Sequence, residues 1–153
     1  MKSRLVASVA LSALVLVGAT GCTFITPQST TLVYSASDGV NVHDDGPVDV
    51  RNAMIITNED GTAGNFVAVL VNNGDSAELL SIEVDGLAPL RVNVPAGERI
   101  SFGGNTDPLP IDGFSAVPGS TVTVYFQSGA ESAFPTEIPV LDGTLEYYSD
   151  LAP

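Results

Sequence analysis

The chain has one cysteine, one histidine, no tryptophan and only five Lys and Arg among its 153 residues. Each scarcity removes a class of explanation. A single thiol, Cys22, permits no disulfide within the chain, so any fold rests on its apolar core. A single histidine, His43, leaves a hydroxyl-nucleophile site one possible imidazole base and rules out a centre built on several imidazoles. A cleft with paired carboxylates would lack tryptophan for stacking on a sugar ring. Eighteen acidic residues outweigh the five basic ones, giving a formal charge of -13 at pH 7. Such a surface repels phosphate backbones, so nucleic acid is not an expected partner. Nor is there a Gly-x-Ser-x-Gly, a His-Glu-x-x-His or a phosphate loop. The expectation is a protein that is not an enzyme and carries no cofactor.

What is present begins with Lys2 and Arg4, followed by small and apolar residues from Leu5 to Val17. That run is about 13 residues, short of the roughly 20 that cross a bilayer as a helix, and reads as an export signal. It leads into Ala19-Thr20-Gly21-Cys22, which resembles a bacterial lipobox, with Ala19 where Leu is usual. The resemblance implies a diacylglyceryl thioether on Cys22 and cleavage before it, so residues 1–21 are expected as a lipoprotein signal peptide. Acyl chains contribute about 0.8 kcal/mol per buried CH₂, enough for two or three to hold a protein at a membrane. The expected address is the extracytoplasmic face of the cell membrane. Residues 22–37 are rich in Ser and Thr, carry Pro27 and lack charge; they read as a tether reaching roughly 20 Å, with Thr31–Tyr34 a candidate edge strand.

Past the signal, Arg51, Arg91 and Arg99 are the only cations, and the first acidic residue is Asp38. Turn signals then recur: Asp-Gly at 38–39, 45–46, 60–61, 85–86, 112–113 and 142–143, and Asn-Gly at 73–74. These pairs accept tight-turn geometry cheaply. Between them lie strand-like runs at 48–57, 65–72, 78–84, 90–94, 100–102, 121–127 and 136–141. Leu80, Ile82 and Val84 share a parity, as do Leu90, Val92 and Val94, and Val122, Val124 and Phe126; each set predicts an inward face. Phe66–Val71 is apolar at every position, which predicts a strand covered on both sides. In 48–55 the apolar parity switches, predicting a β-bulge near Asn52. The reading is all-β: a single sandwich of immunoglobulin-like or cupredoxin-like type over 38–143, with 144–153 as a C-terminal tail.

Three stretches, "VRNAMIITNEDGTAGNFVAVLVNNGDSAELLSIEVDG" (50–86), "VPAGERISFGG" (94–104) and "VPGSTVTVYFQSGAESAFPTEIPV" (117–140), resemble periplasmic copper chaperones of the PCuAC type. The resemblance implies a cupredoxin-like sandwich that holds Cu(I) with Met and His. Part of that set would lie between the strands ending at Val84 and starting at Leu90, and a His-x-Met pair would follow Gly103-Gly104. Here the first segment is Asp85-Gly86-Leu87-Ala88-Pro89 and the second Asn105-Thr106-Asp107-Pro108, without His or Met. Soft thioethers suit Cu(I) and carboxylates do not.

The remaining candidates are sparse. His43 with Asp44 and Asp45 forms a weak candidate for a divalent metal. Asp107 with Asp112, and Glu59 with Asp60, lack the alternating oxygen ligands of a dedicated calcium loop and read as turn residues. Met54 is expected in the core. The functional expectation is a lipid-anchored, non-catalytic binding or scaffolding sandwich with a protein or small-ligand partner; the alternative is a copper-handling chaperone of the PCuAC type.

Overall fold

A computed structural model describes residues 2–25, 29–31, 34–42 and 46–153. His43, Asp44 and Asp45 lie outside the described residues, as do Leu32 and Val33 of the expected edge strand. Two compact units are present, one up to Tyr34 and one from Ser35 to Pro153.

In the first unit, α1 spans Lys2–Ile25. Alanine and leucine favour the helix, and no proline interrupts it. Ser8 and Ser12 return their hydroxyls to the carbonyls of Leu5 and Ser8, both at 2.9 Å, so neither breaks it. Leu5, Val9, Leu14 and Leu16 are exposed. Among the described residues no helix is long and apolar enough to cross a membrane. Ser29–Thr31 forms a 3-10 turn and not the start of a strand.

The second unit holds eight strands: β1 (Val48–Thr57), β2 (Gly64–Asn72), β3 (Glu78–Val84), β4 (Leu90–Val94), β5 (Arg99–Phe102), β6 (Leu109–Ile111), β7 (Thr121–Ser128) and β8 (Phe134–Asp142). Their order is β4-β3-β7-β8-β1-β2-β5, with β6 also on β2. One strand joins the two layers. The first part of β8 pairs antiparallel with β7, from Phe134↔Phe126 to Pro139↔Thr121. Its end pairs parallel with β1, from Val140↔Ile55 to Asp142↔Thr57. Pro139 sits at the changeover, where a residue without an N–H does least harm to a ladder. The result is a cupredoxin-like β-sandwich whose sheet nearly closes on itself.

The inward parities hold. Leu80, Ile82, Val84, Val94, Val124 and Phe126 are buried, and the Phe66 and Phe126 rings meet across the layers at 6.1 Å. The bulge is also present. The β1–β2 register shifts between Arg51 and Met54, and Asn52 takes φ 51. Before it Val48 and Val50 face the main core; after it Ala53 and Ile55 do, while Met54 and Ile56 join a second cluster.

One expectation about β2 is corrected. Phe66, Ala68 and Leu70 enter the core and Val67 joins the second cluster, but Val69 and Val71 are only half-buried. Among the described residues of this unit the outer face is covered at one end, by residues 144–153 and not by a full layer. Tyr148 is 7% exposed and lies with Leu151 and Ala152 against Met54, Ile56 and Val67. Asn65 donates its side-chain amide to the Leu151 carbonyl at 2.9 Å. The segment read as a tail is therefore a packed lid over the outer face of β1 and β2.

Residues 35–42 form a strap along β1. Val40 bridges to Ala53, and the Val42 N–H donates to the Val50 carbonyl at 2.9 Å. The Asn52 side chain accepts from the Gly39 N–H at 3.0 Å, and Asn41 accepts from the Asn52 N–H at 3.0 Å.

Candidate functional site

The ends of β1, β3, β6 and β8 and the starts of β2, β4 and β7 share one rim of the sandwich. Both loop segments where the resemblance would place ligands approach this end. The β3–β4 loop is a tight turn: Gly86 adopts φ 80, and the Leu87 N–H donates to the Val84 carbonyl at 2.9 Å. Leu87 folds back on the main core, while Asp85 is exposed with its N–H bonded to the Thr123 carbonyl at 3.0 Å. Beside it a hollow of about 400 Å³ is lined by Val84, Leu87, Phe114 and Val122, with Asp85, Ser115 and Thr123 among its polar members. The Thr123 hydroxyl donates to Glu137 at 2.6 Å.

The second segment leaves β5 through Gly103-Gly104. Gly103 has φ 79 and lies so close to β2 that an added Cβ would sit 2.9 Å from Val67. Its N–H donates to the Thr106 carbonyl at 2.8 Å. The Gly-Gly pair is thus explained by packing and turn geometry. Asn105, Thr106 and Asp107 are exposed beyond it.

Met54 is 1% exposed, as expected of a core residue, and is unavailable as a surface ligand. Glu59 and Asp60 are exposed in a turn built by Asn58, whose side-chain oxygen accepts the N–H groups of Thr62 at 2.9 Å and Ala63 at 3.2 Å. Asp107 and Asp112 are exposed as well. Among the described residues no three His, Cys, Asp or Glu side chains group as a metal site. Cys22 lies within α1, and its side chain is outside what is described.

A second concavity was not foreseen. A groove of about 280 Å³ runs between Pro118-Gly119 and the lid, lined by Leu141, Leu145 and Tyr148 and flanked by Asp38 and Asp142. The Tyr148 hydroxyl donates to Asp38 at 2.7 Å. Desolvation first, then this carboxylate, push the phenol well above its ordinary range. The Asp142 carboxyl is held below its usual value chiefly by the Thr144 N–H, which donates to it at 3.0 Å. Nothing in the sequence points to the groove, since Asp38 and Tyr148 are 110 positions apart.

No protein-family model and no curated protein matches the chain. Solved structures do. The apo PCuAC domain from PmoF1 aligns with a TM-score of 0.52 at 15% identity, covering 64% of this chain and 96% of that domain. The copper-bound PCuAC domain from PmoF2 aligns with a TM-score of 0.50 at 10% identity, covering 65% and 97%. The fold is PCuAC-like.

At this identity the likeness is one of fold. The donors at the corresponding loops do not fit Cu(I). Asp85, Asn105, Thr106 and Asp107 offer hard oxygens, and Met54, the one methionine besides Met1, is sealed in the second cluster.

Proposed function

We propose that the chain is a non-catalytic binding module of PCuAC-like fold, tethered through Cys22 to the outer face of a membrane. The observation that carries this reading is the fold likeness, which spans nearly the whole of both PCuAC domains. Lipidation draws its support from the Ala19-Thr20-Gly21-Cys22 sequence alone.

Two cargoes are in question. The comparisons favour copper handling over an unspecified scaffold role, because both neighbours are PCuAC domains and one was solved with copper. The donor chemistry speaks against tight Cu(I) capture at the two loops, where oxygens replace sulfur and imidazole. Copper handling by this chain would draw on His43 together with a donor beyond those loops.

A competition titration against a chromogenic Cu(I) chelator separates the two. The expected outcome is no stoichiometric removal of copper from a chelator of about micromolar affinity. Removal that is lost in His43→Ala would make copper the cargo.

A further inference from the structure

We propose that the groove between Pro118 and the C-terminal lid docks a protein segment that presents an apolar side chain flanked by Lys or Arg. This inference is independent of the copper question. The floor and walls, Pro118, Leu141, Leu145 and Tyr148, are apolar apart from the phenol hydroxyl, which is spent on Asp38. Leu145 is 50% exposed, and Tyr147, whose ring meets that of Tyr148 edge-on at 4.4 Å, is 63% exposed. An exposed leucine and a tyrosine pair at one concavity form the kind of surface that anchors a partner side chain.

Charge selects the partner. Asp38 and Asp142 flank the groove, and Glu146 and Asp150 lie exposed in the same lid. No lysine or arginine lines it; the cations of the second unit, Arg51, Arg91 and Arg99, sit on β1, β4 and β5. Both flanking carboxylates are already oriented, Asp38 by the Tyr148 hydroxyl and Asp142 by the Thr144 N–H. Each keeps lone pairs for a further donor. Such preorganisation lowers the cost of binding a cationic group, and the apolar floor between supplies area. Anionic lipid headgroups, the other ready neighbour for an exposed apolar rim, are repelled by the same carboxylates.

The absence of tryptophan supplies a clean readout. The probe is acetyl-Lys-Trp-Lys-amide titrated with the full chain in neutral detergent, followed by the blue shift of the peptide's own emission. Acetyl-Glu-Trp-Glu-amide serves as the control. The expected result is saturable binding of the Lys peptide, at least tenfold weaker for the Glu peptide and at least tenfold weaker in the double variant Asp142→Asn with Leu145→Ser. The amide introduced by Asp142→Asn retains an acceptor for the Thr144 N–H, and Leu145 is half in solvent, so the double variant should keep the wild-type far-UV spectrum. A distant double variant, Glu98→Gln with Glu131→Gln at the opposite rim, should bind as wild type. The proposal is overturned if the Lys peptide does not saturate, if the groove variant binds as wild type, or if the distant variant weakens binding equally. Recruitment of the Cys22→Ser chain to phosphatidylglycerol but not phosphatidylcholine vesicles, without peptide binding, would overturn it in favour of a lipid surface.

Discussion

Two side chains show how much single residues carry here. Asn52 occupies φ 51, a region that β-branched residues avoid, and its side chain also holds the Gly39 N–H of the strap. Asn52→Val should therefore lower stability by about 2–4 kcal/mol, strain and the lost bond together. Asn52→Gly relieves the strain and loses only the bond, with an expected cost of about 1 kcal/mol. Urea melts of the two variants decide; equal losses would mean the bulge geometry contributes nothing. Tyr148 makes a pH-dependent case. Its folded-state ionisation is raised, so the stability it contributes is complete below the ordinary phenol value of about 10 and drains away as pH rises above it. Melts at pH 8 and pH 11 should show a smaller alkaline loss in Tyr148→Phe than in wild type. At neutral pH the same variant should be weaker by about 1–2 kcal/mol, the hydrogen bond to a carboxylate being gone.

At the scale of elements, β2 is the instructive strand. Leu70 is fully buried between the layers, whereas Val69 next to it points to a half-open outer face. Leu70→Asp should abolish the folded state, since an unpaired charge would be buried at a cost of several kcal/mol. Val69→Asp should lower the melting temperature and leave a folded protein. Far-UV spectra and thermal melts of both check this, and equal effects would contradict the assigned faces. The neighbouring layer adds a charge effect. Thr123 is half-buried and donates to Glu137, so a carboxylate placed at 123 would meet a like charge across the β7–β8 pair.

For the whole molecule, the second unit rests on a main core and a smaller second cluster, without disulfides, closed by a strap at one end of its sequence and a lid at the other. The strap also contributes to the groove, because Asp38 belongs to both. Anchoring itself is tested by Cys22→Ser. With acylation as proposed, labelling with a fatty acid should mark wild type and not the variant, which should leave the membrane fraction. Equal label in both would remove the anchor from the proposed function.

Local pattern was enough for much of this. Alternation along 78–84, 90–94 and 121–127 named the inward residues, because a strand's period of two is a property of the backbone and needs no neighbour. The parity switch in 48–55 located the bulge for the same reason. Asp-Gly pairs marked most connections, though the backbone used them unequally. Gly61, Gly86 and Gly113 take positive φ, whereas at Gly39 an added Cβ would collide with Asn52. Tertiary structure decided the rest. An all-apolar run cannot say whether its second face is covered by a layer, by a ten-residue lid or by solvent, and here Val67 and Val69 divide between the last two. Composition marked residues 144–153 as a tail; packing against Met54 and Ile56 made them part of the fold. The groove needed Asp38, Pro118 and Tyr148 brought together from three distant segments, and no spacing in a linear chain encodes such a meeting.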